Sequence, residues 1–271
     1  MLVLAATPIG NLGDASRRLV EALAGATVIA AEDTRVAQRL LAALHVETSA
    51  RLVVVNEHTE RARSAALLEA AREGDVVLVS DAGMPTVSDP GFALVRAAID
   101  AGVPVTAVPG PSAVLTALAL SGLPTDRFVF EGFPPRKPGE RSRFLRTLVA
   151  EPRTTVLFES PNRTAALLAA MVEVFGPQRQ VVVARELTKL HEEVVRGTVA
   201  QVAAWAEGGV RGEVVVVLAG AEAAPPDADA ALAAVLALVS GGARLKEATA
   251  QVAERTGLSR KALYDAALAA R

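Results

Sequence analysis

The sequence predicts an α/β protein with two α/β domains, the first built on a mainly parallel sheet and the second on a mixed one, followed by a small helical tail. Three observations carry this. Short runs of β-branched and aliphatic residues alternate with longer Ala, Leu, Arg and Glu segments at helical spacing. The runs are apolar throughout, as strands buried on both faces must be. Around "ARELTKLHEEVVRGT" two such runs follow each other with no helix between them, which requires antiparallel pairing in the second half.

Taken in order, "LVLAAT", "TVIAAE", "RLVVVNE", "DVVLVS" and "VPVTAVP" read as strands, and 14–25, 34–44, 60–73, 89–101 and 112–121 as the helices that follow them. Gly122 and Pro124 mark a boundary, so the first domain is expected over 1–121. The second, over 122–221, has strands in "DRFVFEGF", "RTTVLFES", "QVVVARELT", "HEEVVRGT" and "GEVVVVLAG", with helices near 139–150, 161–175 and 198–206. "AEAAPPDADAAL" is a compositional break with adjacent prolines and reads as a linker into a tail over 222–271. There "ATAQVAERTGLSRKALYDAAL" has helix-turn-helix spacing, with Ala253 four residues before Gly257, Ser259 as a cap and Leu263 facing back. Six Lys/Arg against three Asp/Glu over 240–271 suit either a nucleic-acid reader or a plain helical packing module.

At 271 residues, with 51% hydrophobic content, the chain is long enough for two sizeable cores. No apolar window approaches the ~20 residues of a membrane span. The opening "MLVLAATPIG" reads as a first strand without a basic leader, and a cytosolic protein is expected. The absence of cysteine excludes disulfides and thiolate metal sites, and His45, His58 and His191 lack ligand-like spacing, so no metal is expected. A net charge of -2 gives no global sign of nucleic-acid binding, and nine aromatic residues are too few for a base-stacking platform.

Ligands of a doubly wound sheet bind beyond the carboxyl ends of its strands. Three Gly/Pro turns lie there: "TPIGNLGD" at 7–14, "SDAGMPTVSDPG" at 80–91 and "VPGPSA" at 108–113. None contains Lys, and none is a phosphate-binding or dinucleotide loop, so the rim suits a nucleoside with a positive or zwitterionic attachment held largely by backbone. Gly83 and Gly110 allow close approach of backbone, and Asp81 is an anion available to an ammonium or a ribose hydroxyl. Ser88-Asp89-Pro90 reads instead as the start of the helix over 89–101.

Together with "VIAAEDTR", "FEGFPPRK", "LFESPNR" and "ARELTKLHEE", these turns resemble, in order and spacing, the ribosomal RNA small subunit methyltransferase I family. The resemblance covers essentially the whole chain. It implies a fold of the tetrapyrrole methylase (class III methyltransferase) type, S-adenosylmethionine as cofactor, 2'-O-methylation of a cytidine in 16S ribosomal RNA of the small subunit, and a homodimer. It also implies a cofactor site at Pro8, Asp81, Ala82, Gly83, Val87, Gly110, Ser112 and Ala113. Asn162 departs from the family pattern, which carries His there, as does His191 at a position usually apolar.

Removing a proton from a ribose hydroxyl calls for charged groups at strand ends, and Glu32, Asp33, Arg35, Glu159, Arg163, Arg185, Glu186 and Lys189 qualify, though each also suits an ion pair closing the cleft. Glu159 or Lys189 is the expected proton acceptor. Arg35 and Arg163 are expected to hold RNA phosphate, joined by Arg136, Lys137, Arg141 and Arg143 of a stretch carrying five Lys/Arg and one Glu over 136–146. Two other functions remain open. A tetrapyrrole-precursor methylase needs neither the basic stretch nor the tail, and a non-catalytic nucleic-acid-binding sensor would use the tail as reader.

Overall fold

The computed structural model describes residues 1–56, 58–222 and 227–270, in two compact units, 1–221 and 222–271. The first unit holds two five-stranded sheets. Its chain runs β1 (Leu2–Ala5), a 3-10 turn at Leu12–Asp14, α1 (Arg17–Gly25), β2 (Val28–Ala31), α2 (Thr34–Ala43), β3 (Arg51–Val54), α3 (Glu60–Glu73), β4 (Val76–Val79), α4 (Phe92–Asp100), β5 (Val105–Val108) and α5 (Ala113–Ser121). The first sheet has the order β3-β2-β4-β1-β5 and every pair is parallel. Burial explains its composition. Val76–Val79 is covered on both faces, one packing against Leu67 and Leu94 and the other against Leu19 and Leu23, so no position in that strand can be polar.

The second half runs β6 (Phe128–Phe130), α6 (Pro138–Thr147), β7 (Thr154–Glu159), α7 (Pro161–Phe175), β8 (Gln180–Arg185), β9 (Glu193–Thr198), α8 (Val199–Ala206) and β10 (Val214–Leu218). Its sheet, β6-β7-β10-β8-β9, is mixed: β6 and β7 are parallel and the remaining pairs antiparallel. Thr198 starts α8 with a complete capping box to Gln201.

The two halves share a core. Val114, Ala117 and Leu118 of α5 pack with Val156, Val182, Val215 and Val217 of the second sheet. Helix α5 therefore belongs to the first half by chain order and to the second by burial.

In the second unit, α9 (Ala228–Ser240), α10 (Leu245–Thr256) and α11 (Arg260–Ala269) enclose their own core of Ala231, Val235, Ala248, Val252, Leu263 and Ala267. Gly257 ends α10 at φ 73°, a left-handed turn natural to glycine, and the Ser259 hydroxyl accepts from the Ala262 N–H to start α11. Of the expected linker, 223–226 lie outside the described residues.

The helix expected over 89–101 begins later. α4 starts at Phe92 after Gly91, whose φ of 126° is open to glycine and whose added Cβ would lie 2.6 Å from Leu78. The Leu94 N–H is taken at 2.8 Å by the Glu60 carboxylate reaching from α3. That distant cap frees Asp89 from starting the helix.

Candidate active site

The turns after β1, β4 and β5 meet on one rim of the first sheet. Thr7 and Gly83 exchange backbone hydrogen bonds of 2.9 and 3.2 Å, tying the first turn to the second. Gly83 thus spends both its N–H and its C=O within the protein, and its φ of 85° sets the bend. It still lines the cavity that opens beside this rim, as expected of a residue there for close approach. Beyond it, Thr86 and Ser88 hold φ values of 76° and 63°. Two strained non-glycine residues in one short segment are a common mark of a functional loop.

A cavity of about 380 Å³ opens between this rim and the second sheet. Ala82, Gly83 and Val87 contribute from the loop, Ser112 and Ala113 from the start of α5, and Phe133, Phe158 and Val215 from the second half. Phe133 and Phe158 stand 5.5 Å apart, centroid to centroid, and tilted by 58°. Three acidic residues, Asp89, Glu159 and Glu213, line it, the Glu159 side chain being fully buried, and among the described residues lining it there is no Lys or Arg. Such a chamber suits a ligand that is partly flat and apolar and carries positive charge.

Each carboxylate sits differently. Burial raises the Asp89 pKa to about 6, with the neighbouring Ser80 hydroxyl working against the rise and the Asp81 charge adding to it. Glu159 is fully buried at its side chain; one oxygen accepts the Ser160 N–H at 2.8 Å and the other accepts Arg163 Nη2 at 3.0 Å. Glu213 bonds Lys189 Nζ at 3.2 Å, and Lys189 also reaches Glu186 at 2.9 Å.

Lys189, one of the two expected proton acceptors, does not line the chamber. Burial works to lower its pKa, but hydrogen bonds to Glu186 and Glu213 outweigh this and the net direction is upward, so it holds its proton. It lies behind Glu213, where the Thr188 hydroxyl accepts the Asn11 N–H at 3.1 Å and Gly10 leaves room for the Lys189 stem. Its stem thus packs against the first turn, while its ammonium pairs with Glu186 and Glu213, both of the second half. Arg185 is likewise engaged, to Glu193 at 2.6 Å.

Three residues of the expected cofactor set do not line the chamber. Pro8 and Asp81 line a second cavity of about 240 Å³, between the ends of β1, β2 and β4 and the side of α2. Asp81 Oδ1 there accepts the Asp33 N–H at 3.2 Å. Burial, the largest influence, leaves the Asp81 carboxyl above its ordinary value. Gly110 lines neither cavity; a Cβ on it would lie 3.0 Å from that of Ala6, so its smallness serves the packing of the third turn on the first.

The expected phosphate contacts divide. Arg136, Lys137 and Arg143 are exposed, Lys137 pairing with Glu140 at 3.2 Å. Arg141 is only 8% exposed and its Nε is buried without a hydrogen bond, which removes it from the accessible set. Arg163 is withdrawn too, donating to the Pro134 carbonyl at 2.6 Å as well as to Glu159. Arg35 keeps an 84% exposed side chain while forking onto Asp33, and those hydrogen bonds hold the Asp33 carboxyl down at about 2. Glu32 is half-buried. Asn162 and His191 are exposed and line neither cavity. Among the described residues no group of His, Cys, Asp and Glu is arranged to hold a metal, and no helix is long and apolar enough to cross a membrane.

Asp89 and Glu213 escape the sequence reading. Ser-Asp-Pro resembles a helix start, and only the cap supplied from α3 contradicts it; Glu213 gives no signal beyond preceding a strand.

Paired parallel and mixed sheets with a chamber between them define a class, the tetrapyrrole (corrin/porphyrin) methylases, whose family model matches residues 1–203. Solved structures with this fold include the methyltransferase CobJ, at TM-score 0.61 and 22% identity over 81% of this chain and 94% of that one. Another is uroporphyrin-III C-methyltransferase from Thermus thermophilus complexed with S-adenyl homocysteine, at TM-score 0.55 and 23% identity over 80% and 96%. Residues 222–271 match a second model, the RsmI C-terminal HTH domain. The chain belongs to the ribosomal RNA small subunit methyltransferase I family. It is 51% identical to the member from Mycobacterium tuberculosis (strain ATCC 25618 / H37Rv) over 100% of this chain and 95% of that protein.

Proposed function

We propose that this protein transfers a methyl group from S-adenosylmethionine to the 2'-hydroxyl of a cytidine in 16S ribosomal RNA, acting in the cytoplasm as a homodimer. The observation that supports it is the chamber itself, with the carboxylates of Asp89 and Glu213, an apolar aromatic wall and no cationic side chain among its described lining residues. Ser112 and Ala113 at the head of α5, with Ala82, Gly83 and Val87, would hold the cofactor, and Asp89 and Glu213 would face its positive charge. When bound, the cofactor supplies a methyl group made electrophilic by a sulfonium.

The chain's own task is to place and deprotonate the acceptor. Asp89 is the group for this, because its pKa of about 6 leaves it ionised at neutral pH while far more basic than an ordinary Asp. Glu159 anchors Arg163 and the start of α7, and Lys189 ties Glu213 to Glu186. Exposed Arg136, Lys137 and Arg143, with Arg35, offer the RNA its phosphate contacts. A tetrapyrrole substrate would leave these cations and the helical tail without work.

A labelled-methyl assay tests the proposal. Incorporation into small ribosomal subunits, absent with a tetrapyrrole precursor, is the expected result. Methyl transfer to the macrocycle instead, or to neither, would replace it with one of the two alternatives.

A further inference from the structure

The second cavity shares no lining residue with the first, yet the same strand end walls both. Ser80 and Asp81 face the second and Ala82 and Gly83 the first, so four consecutive residues separate the two spaces. Its walls are apolar, from Pro8, Leu12, Val36 and Leu40, and three charged groups, Asp33, Arg39 and Asp81, lie among them. Arg39 and Arg35 also line an open groove along α2 that adjoins this cavity through their shared residues Asp33 and Arg39. Spaced four apart, the two arginines lie on one face of the helix.

We propose that the second cavity receives the target nucleotide, its base held among the apolar walls with the exocyclic amine donating to the Asp81 carboxylate, and its flanking phosphates held by Arg39 and Arg35. This rests on the function proposed above and names the substrate site for it. The chemistry matches part by part. An apolar slot accepts a flat base, a carboxylate accepts from the N4 amine of cytosine, and exposed arginines bind phosphate in bidentate fashion. An oxygen of a ribose lying over the wall formed by Ser80 to Gly83 faces the first cavity, on the side where Asp89 sits beside Ser80.

The site makes a distinction that an extended cofactor pocket would not. Arg39→Ala and Asp81→Asn are both mild, since Arg39 is exposed and the amide oxygen left by the second substitution can still accept the Asp33 N–H. In the Arg39→Ala variant the KM for small ribosomal subunits is expected to rise about tenfold or more, with the calorimetric Kd for S-adenosylmethionine unchanged. The Asp81→Asn variant is expected to lose most of the preference for a cytidine over a uridine at the target position, a preference of about tenfold or more in the unmodified enzyme. An unchanged KM in the first variant together with unchanged base preference in the second overturns the assignment. So does an about tenfold loss of cofactor affinity in Asp81→Asn, which would return Asp81 to the cofactor. If the unmodified protein transfers no methyl group to RNA, the function proposed above fails and this inference with it.

Discussion

Replacing Asp89 by Asn separates what the carboxylate does for the fold from what it does for the reaction. Its pKa stands at about 6 against an ordinary 3.8, and each pH unit between them corresponds to about 1.4 kcal/mol. Keeping the group ionised in the fold would therefore cost up to about 3 kcal/mol in a dry site. The carboxyl is half-buried and opens onto a cavity, so screening brings the figure to about 1 kcal/mol. The sign follows from the direction of the shift. The folded state binds the proton more tightly than the unfolded chain, so stability falls as pH rises from about 4 to about 6 and is level above. Asp89→Asn removes that loss. The variant should match the parent near pH 4 and exceed it at pH 7.5 by about 1 kcal/mol, or roughly 2 to 4 °C in Tm for a unit of this size. Activity should move the other way, falling by about 10² to 10⁴, the usual contribution of a general base. In the parent, kcat/KM should climb through about pH 6 and flatten, and the variant should lack that limb. Thermal melts at both pH values and a labelled-methyl pH profile read all of this. A variant less stable than the parent at pH 7.5, or one retaining full activity, would refute the reasoning.

Glu159→Ala should destabilise by about 3 kcal/mol in urea unfolding, because it leaves Arg163 buried beside an uncompensated site; a loss below about 1 kcal/mol would show that the pair is not the anchor proposed. Gly91→Ala should cost about 2 kcal/mol or more, since an added Cβ meets Leu78 at 2.6 Å and the backbone stands at φ 126°. Unfolding midpoints check it, and an unchanged midpoint would mean that α4 can start another way. Charge reversal at Arg136 and Arg143 together should weaken binding to small subunits and lower the slope of log K against log salt by about one per lost phosphate contact, whereas an intact slope would place the RNA elsewhere.

Elements are legible where periodicity alone decides. The stretch 60–73 reads as a helix because its apolar positions recur at helical spacing, and α3 spans Glu60–Glu73. The mixed second sheet follows from two strands with no helix between them, β8 and β9, which pair antiparallel. What fails does so at a distance. Asp89 looks like a cap because the residue that takes the Leu94 N–H, Glu60, stands 34 positions away on another helix. Arg141 looks exposed because its neighbours are charged, although the phase of α6 turns it inward. Asp81 and Ala82 are adjacent in sequence and line different cavities, because the chain bends there as it leaves β4, sending Ser80 and Asp81 to one side and Ala82 and Gly83 to the other. Local pattern reports on neighbours along the chain, and these three sites are set by neighbours in space.

Helix α5 has one more consequence. Its first residues line the chamber while Val114, Ala117 and Leu118 are sealed into the core of the second sheet. Because those contacts are with the second sheet, α5 travels with the second half, and any spreading of the halves would bend at the short run between β5 and α5. A bend there would carry the chamber-lining head of α5 away from the turns after β1 and β4. The run through Thr86 and Ser88, which holds positive φ and whose Val87 and Ser88 line the same chamber, would stay with the first half.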